Sequence, residues 1–328
     1  MERTRAFVTR EIPAAGLDLL RRSIEVEVWP REEPPSTAEL KEILSRGFDG
    51  LLTLLTDPIT PDVMDACPGL RVISNYAVGY DNVDVAAATE RGILVTNTPG
   101  VLTETTADLA WALLMAAARR VAEADRFVRA GRWRTWHPQL LLGRDVYGAT
   151  LGIVGMGRIG RAVARRAAGF SMRLLYHSRH RDPRVEEELG ASYRSLDDLL
   201  RESDFVSLHV PLTEETHHLI GRRELELMKE SAVLINTSRG PVVDEAALYE
   251  VLRDGRIAAA GLDVTEEEPI PPSSPLLSLE RVTILPHIGS ASVESRRRMA
   301  VMAAENLLDA LAGRRPKYLV NPEVLGDD

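Results

Sequence analysis

Residues 149–170, "ATLGIVGMGRIGRAVARRAAGF", constrain the fold of this chain more than any other stretch. A near-continuous apolar run stops at three glycines, Gly155, Gly157 and Gly160, and resumes with helical spacing. G-x-G-x-x-G alone is weak, because glycines also make ordinary strand-to-helix turns. Set between a buried strand and a helix, it reads as a dinucleotide cradle. Gly155 makes the turn, Gly157 lets the backbone approach a pyrophosphate, and Gly160 brings the helix close to the strand. The N-terminus of that helix then offers unpaired N–H groups to an anion.

Such a turn belongs to an α/β fold, and the flanking sequence agrees. The first hundred residues alternate strand candidates ("RAFVTR", "EVEVWP", "FDGLLTLL", "LRVISNYA", "GILVTNTPG") with helical patterns ("AAGLDLLRRS", "STAELKEILSRG", "TPDVMDACP", "VDVAAATERG"). Beyond the glycine turn come "RLLYHS", "DFVSLHVPL", "AVLINTSRG", "IAAAGLDV" and "VTILPHIG". Strict alternation predicts parallel sheets covered on both faces.

At 328 residues the chain is long enough for two cores. The expected architecture is two Rossmann-like or flavodoxin-like domains with a cleft between them. Residues 1–98 would form a substrate-binding domain, completed by the C-terminal helical segment 290–328, and residues 99–289 the dinucleotide-binding domain. "NTPGVLTETTADLAWALLMAAARRVAEADRFVRAG" reads as one long helix, capped by Thr103 or Thr105 and ended by Gly131, suited to a domain junction.

A formal net charge of −9 argues against general binding to nucleic-acid phosphates, so any anion site must be local. No stretch has the apolar length of a membrane span, and residues 1–10 lack the apolar core of a secretory signal, which points to the cytoplasm. Cys67 is the single cysteine, so an intrachain disulfide and a cysteine metal cluster are excluded. His217 and His218 are adjacent without ligand spacing, and no metal site is expected.

About 20 residues past the glycine turn, NAD-binding chains carry an Asp or Glu for the ribose hydroxyls. Here the sequence reads Tyr176, His177, Ser178, Arg179, His180, Arg181. A carboxylate would repel a 2′-phosphate, whereas a hydroxyl and a guanidinium bind one. The cofactor expected is therefore NADP(H), with NAD(H) possible. The competing reading makes Arg179 and Arg181 a solvated charge run and Asp182 the true acid.

Three polar residues follow strand-like runs: Arg239 after "AVLINTS", Glu268 after "AAGLDVTEE" and His287 after "VTILP". Side chains just past the carboxyl ends of parallel strands face the ligand crevice. Each also has a structural alternative: an Arg239–Asp244 pair, a solvated acidic run ending at Glu268, and a structural histidine beside proline.

With these residues in place, the chain resembles the D-isomer-specific 2-hydroxyacid dehydrogenases, and within them the glyoxylate/hydroxypyruvate reductases. "NYAVGYDNVDVAAATERGILVTNTP", "LTETTADLAWALL", "LGIVGMGRIGRAVA", "LINTSRGPVVDEAAL", "AGLDVTEEEP" and "LPHIGSAS" occur in the family's order over nearly the whole chain. The resemblance implies hydride transfer to a small 2-oxo acid, giving the D-2-hydroxy acid. Arg239, Glu268 and His287 match the catalytic positions, with His287 as proton donor and Glu268 favouring its imidazolium. Thr106, Gly155, Gly157, Arg158, Ile159, Gly160, Ser178, Arg179, Pro211, Thr237, Ser238 and Asp263 match cofactor positions. Val78, Gly79, Arg239 and Ser290 match substrate positions, the backbone of Val78 and Gly79 holding the carboxylate. A tryptophan matching Trp136 reaches a neighbouring subunit's substrate pocket in similar reductases, which implies a homodimer; the competing reading of Trp133 and Trp136 is a hydrophobic cap. His209, in a cofactor-lining loop, reads as structural. Alternatives of the same fold are a phosphoglycerate dehydrogenase preferring NAD, a formate dehydrogenase, and a corepressor that senses the dinucleotide without turnover.

Overall fold

A computed structural model describes residues 4–326. The chain first runs through β1 (Arg5–Val8), α1 (Ala14–Ser23), β2 (Glu25–Val28), α2 (Thr37–Leu44), β3 (Gly50–Thr53), α3 (Pro61–Asp65), β4 (Val72–Asn75), α4 (Val85–Glu90) and β5 (Leu94–Thr96). These strands pair in the order β2-β1-β3-β4-β5, all parallel. Every residue of β3 and β4 is buried, as strands covered on both faces must be. Phe7, Leu51, Ile73 and Val95 pack on one side with Leu40, Leu44, Val63 and Met64.

There follow α5 (Thr103–Ala118), α6 (Val121–Arg129), β6 (Thr150–Val154), α7 (Arg158–Ala167), β7 (Arg173–His177), α8 (Pro183–Leu189), β8 (Ser192–Tyr193), α9 (Leu196–Glu202), β9 (Phe205–Leu208), α10 (Arg222–Leu227), β10 (Val233–Asn236), α11 (Glu245–Arg253), β11 (Ala259–Leu262) and β12 (Val282–Ile284). Their sheet runs β12-β11-β10-β9-β6-β7-β8, again parallel throughout. Alternation along the strands divides the core. Ile153, Phe205 and Ile235 pack with Leu113 and Val163 of α5 and α7, whereas Val154, Val206 and Leu234 pack with Leu199, Leu225 and Leu248 of α9, α10 and α11.

The last helix, α12 (Val293–Leu311), belongs with the first sheet. A side chain at Gly16 of α1 would come within 2.6 Å of the Ala300 carbonyl oxygen, so only glycine allows that helix contact. Ser74 and Tyr76 hydroxyls donate to the Ala303 and Arg296 carbonyls of α12, each at 2.8 Å. Among the described residues, unit 1 thus comprises 4–102 and 291–326, and unit 2 comprises 103–290.

The single long helix expected over residues 103–130 is two helices. Arg120 adopts a left-handed backbone, with φ +54°, between α5 and α6. The Ala118 carbonyl accepts from Arg144 N–H at 2.8 Å, so a returning loop replaces the next helical turn. The Arg120 guanidinium makes two 2.7 Å bonds to the buried carboxylate of Glu123, which holds the corner. Alanine-rich periodicity carries no sign of this competition. Gly131, with φ +66°, closes α6.

Each sheet has one place where strand order reverses and adjacent connections leave toward opposite faces: β1/β3 in unit 1 and β6/β9 in unit 2. Ligands of such sheets bind past the carboxyl ends there. No described helix is long and apolar enough to cross a membrane.

Candidate active site

The glycine turn sits at the β6/β9 switch point of unit 2. Gly155 has φ +96°, and a Cβ there would lie 2.6 Å from the His209 carbonyl oxygen at the end of β9. A Cβ on Gly160 would strike the Gly155 carbonyl oxygen at 2.1 Å, whereas one on Gly157 meets nothing within 4 Å. Two glycines are thus required by packing and the third borders open space. Helices α8, α9 and α11 are capped by side chains of Asp182, Ser195 and Asp244, but α7 begins at Gly157 with no side-chain cap. The first N–H groups of α7, at Arg158 and Ile159, are left for an anion.

At the end of β7, Ser178 Oγ accepts from Met156 N–H at 2.9 Å, which fastens it to the turn. Arg181 is committed to Glu186 by two 2.7 Å bonds. Asp182 caps α8 through Arg184 N–H at 3.0 Å and pairs with Arg161 at 2.6 Å. Arg179 is exposed and makes no hydrogen bond or ion pair with a described residue. It does act at a distance on Glu215, whose carboxyl is held below its ordinary value mainly by the Thr213 hydroxyl and to a lesser degree by Arg179.

Two buried polar atoms along the same edge, Thr237 Oγ1 and Asp263 Oδ2, have no partner among the described residues. Leaving such atoms unpaired is costly, and a polar ligand would satisfy them. Burial raises the Asp263 carboxyl above its usual value, against the N–H groups of Ile288 and Gly289 and the nearby His287. Thr106 on α5 donates to the Gly289 carbonyl at 3.0 Å, and Ser238 is held in its turn by Asn236 at 2.8 Å. Pro211 accepts from the Thr216 hydroxyl at 2.6 Å, and Ser290 is half-buried beside Gly289. An open cradle, an uncapped helix and unsatisfied buried atoms on one sheet edge fit a dinucleotide.

Next to them stand the three candidate catalytic residues. Arg239 follows β10; its carbonyl accepts from Asn236 at 2.8 Å and its Nη1 donates to the Ser238 carbonyl at 2.9 Å. Gly240 lies against the loop that leads to Glu268: a Cβ on it would fall 1.9 Å from the Thr265 carbonyl. That loop is held by Glu268 Oε1 accepting from Thr265 N–H at 3.2 Å and by Thr265 Oγ1 donating to the Glu267 carbonyl at 2.7 Å.

His287 Nδ1 lies 2.7 Å from Glu268 Oε2. Its backbone is left-handed, φ +53°, and its N–H donates to the Asp263 carbonyl at 2.9 Å. A non-glycine residue in that region costs on the order of 1 kcal/mol and persists where the surroundings demand it. With Nδ1 bonded to the carboxylate, Nε2 is left to exchange a proton with a ligand. His209 differs. Its Nε2 lies 2.8 Å from Ser207 Oγ, and burial pushes its pKa down to about 4, so it stays neutral.

Glu245 and Glu266, which sequence reasoning passed over, brace this loop together with His218. Glu266 Oε1 takes hydrogen bonds from His218 Nε2 at 2.8 Å and from Glu245 N–H at 3.1 Å, while Glu245 Oε1 accepts from Glu266 N–H at 2.6 Å. Burial and the neighbouring carboxylates raise the Glu245 carboxyl, whose N–H bond from Glu266 opposes them. Only the spacing of acids around a helix start hints at this lattice. Among the described residues no group of three or more His, Cys, Asp or Glu is placed to hold a metal.

In unit 1, Val78 and Gly79 form a half-buried loop after β4. Trp136 of unit 2 is 78% exposed, in the same segment as exposed Val121, Val128, Trp133, Leu142 and Tyr147.

The profile of the D-isomer specific 2-hydroxyacid dehydrogenase, NAD binding domain, matches residues 111–289, more than half of the chain. A glyoxylate reductase of Korarchaeum cryptofilum is 61% identical over 322 residues, covering 98% of this chain and 97% of its own. One from Aeropyrum pernix is 55% identical, covering 99% and 98%. Among solved structures, a protein of Thermus thermophilus has a TM-score of 0.91 at 53% identity, covering 97% of this chain and 100% of its own. The NADPH-dependent glyoxylate/hydroxypyruvate reductase of Sinorhizobium meliloti, in complex with NADP and malonate, has a TM-score of 0.85 at 36% identity, covering 97% of each chain.

Proposed function

The chain belongs to the D-isomer-specific 2-hydroxyacid dehydrogenases, nicotinamide-dependent oxidoreductases of 2-oxo and 2-hydroxy acids, and from that premise we propose that it reduces glyoxylate and hydroxypyruvate with NADPH. The observation that carries this reading is the His287–Glu268 pair beside the unpaired Asp263 Oδ2. The reductases it resembles supply the substrates.

A reduced nicotinamide dinucleotide held at the glycine turn would supply the hydride for reduction of the substrate's carbonyl carbon. His287, charged, gives its Nε2 proton to the oxygen, which becomes the hydroxyl. Glu268, at Nδ1, orients the ring and offsets its charge. Arg239 presents a planar fork to the carbonyl oxygen and carboxylate, which a lysine would not reproduce. The N–H groups of Val78 and Gly79 take the carboxylate, and Ser290 borders the same substrate. Thr237 Oγ1 and Asp263 Oδ2 pair with the nicotinamide end, where Thr106 and Ser238 shape the wall; Pro211 lines the cofactor at the β9 loop. The α7 N-terminus, from Gly157 through Arg158 and Ile159, takes the pyrophosphate. Ser178 and Arg179 take the 2′-phosphate. Exposed Trp136 and its apolar neighbours face a second copy in a homodimer.

Absorbance of reduced nicotinamide tests the reading directly. NADPH or NADH is offered with glyoxylate, hydroxypyruvate, pyruvate and 3-phosphohydroxypyruvate. The expected result is fastest turnover of glyoxylate or hydroxypyruvate with NADPH. Preference for the phosphorylated acid with NADH would instead make the chain a phosphoglycerate dehydrogenase, and binding without any turnover a sensor.

A further inference from the structure

We propose that Asn75 and Asn97 are positioning residues: their side-chain amides hold the peptide planes of the loop after β4 so that its N–H groups are set to grip the substrate carboxylate. This rests on the reading of Val78 and Gly79 as the carboxylate anchor. In a trans peptide the carbonyl of one residue and the N–H of the next point in opposite directions, so fixing an oxygen fixes the hydrogen. Three consecutive carbonyls of this loop are held. Ala77 O accepts from Thr98 N–H at 2.8 Å, Val78 O from Asn97 Nδ2 at 2.7 Å and Gly79 O from Asn75 Nδ2 at 2.9 Å. The opposed N–H groups of Val78, Gly79 and Tyr80 have no acceptor among the described residues.

The donors are themselves braced. Asn75 Nδ2 also donates to Asn82 Oδ1 at 2.9 Å, and Asn82 Nδ2 donates to the carbonyls of Leu54 and Asp57 at 3.0 and 3.1 Å. Asn306 of α12 donates to the Asn97 carbonyl at 3.1 Å. The frame therefore ties the loop to β3, β5 and the last helix. Asparagine is the residue type this needs, since an aspartate of the same shape offers a carbonyl oxygen only acceptors. Asn75 is fully buried, and its Oδ1 has no partner among the described residues. An unsatisfied buried oxygen is tolerated there while both Nδ2 bonds are made, which identifies the donor as the useful end of the side chain. Amides held before the ligand arrives need no rearrangement to bind it, so losing the frame weakens carboxylate binding even where the loop keeps its fold.

Asn97→Asp and Asn97→Ala test the inference, with circular dichroism to verify folding. KM for glyoxylate should rise about tenfold or more, with kcat and the NADPH dissociation constant within about twofold, the pattern of lost uniform binding. Inhibition by oxamate, an unreactive 2-oxo acid mimic, should weaken by the same factor. At lower pH the Asn97→Asp deficit relative to wild type should shrink, because the introduced carboxyl regains a donor when protonated, while the Asn97→Ala deficit holds. Unchanged KM and oxamate inhibition in the folded alanine variant would overturn the proposal, as would equal losses in kcat and cofactor binding. A crystal structure of the wild-type ternary complex with oxamate separates the two layers. A carboxylate away from residues 78–80 sinks anchor and frame together. A carboxylate on those amides, with both variants unimpaired, sinks the frame alone.

Discussion

The two parallel sheets end in opposite ways. At the β1/β3 switch point of unit 1 a buried carboxylate fills the edge. Asp57 Oδ2 accepts from the hydroxyls of Thr9 and Thr53 at 2.5 and 3.0 Å and from Leu54 N–H at 2.8 Å, and its Oδ1 takes Arg10 Nη2 at 2.7 Å. Asp57 is 1% exposed, and of this knot Arg10 Nη1 alone lacks a partner. At the β6/β9 switch point of unit 2 the corresponding space is a glycine cradle, with unpaired Thr237 Oγ1 and Asp263 Oδ2 farther along the edge. The same topology yields a plug in one case and a socket in the other. What decides is whether the polar groups at the strand ends satisfy one another or wait for a ligand.

The largest effect expected from breaking this contrast falls on the socket. His287→Ala should lower kcat about 10²–10⁴-fold, the usual contribution of a general acid, while the dissociation constant for NADPH stays within about twofold. Stopped-flow turnover and cofactor fluorescence read the two quantities. Near-normal turnover would place the proton donor elsewhere on the edge.

Next comes the plug. Asp57→Ala removes the acceptor of five hydrogen bonds and leaves the buried Arg10 guanidinium without its carboxylate, so denaturant unfolding should show a loss of about 3 kcal/mol. NADPH affinity under native conditions should not change. A loss below about 1 kcal/mol would mean the edge relaxes and admits water, and the contrast between the units would be one of degree.

The socket was more legible in the chain than the plug, for a physical reason. A glycine cradle is written in consecutive residues, because close approach of backbone to backbone forbids a Cβ at Gly155 and Gly160. Strand-and-helix alternation is equally local, and both parallel sheets follow from it. The plug draws on Thr9, Arg10, Thr53 and Asp57, and nothing in a single stretch announces that they meet. The asparagine frame was silent for the same reason, and the Glu245–Glu266–His218 lattice showed only in the spacing of its acids. Two local features also escaped. β8 has two residues, too few for a period, and the turn at Arg120 depends on a loop returning from residue 144. The left-handed backbone of His287 is visible only in three dimensions, since histidine, though enriched there over most side chains, adopts that region in only a small minority of cases.

The smallest effects sharpen the question of which dinucleotide the socket takes, and they come as a pair. Around Ser178 the charges are unequal in availability: Arg181 is spent on Glu186, Asp182 on Arg161 and the start of α8, and Arg179 makes neither hydrogen bond nor ion pair with a described residue. If Arg179 holds a 2′-phosphate, Arg179→Ala should raise KM for NADPH about tenfold to a hundredfold, the range of one or two charge-assisted hydrogen bonds, and leave KM for NADH within about twofold. Asp182→Ala should behave in the opposite sense. It removes a helix cap and should lower stability slightly, with the NADPH to NADH ratio untouched, because its carboxylate faces α8 and Arg161. Were Asp182 the ribose acid, its loss would instead raise KM for NADH. Steady-state kinetics on the two variants therefore tests two assignments: an unchanged ratio in Arg179→Ala, or a shifted one in Asp182→Ala, would move cofactor choice away from the free guanidinium.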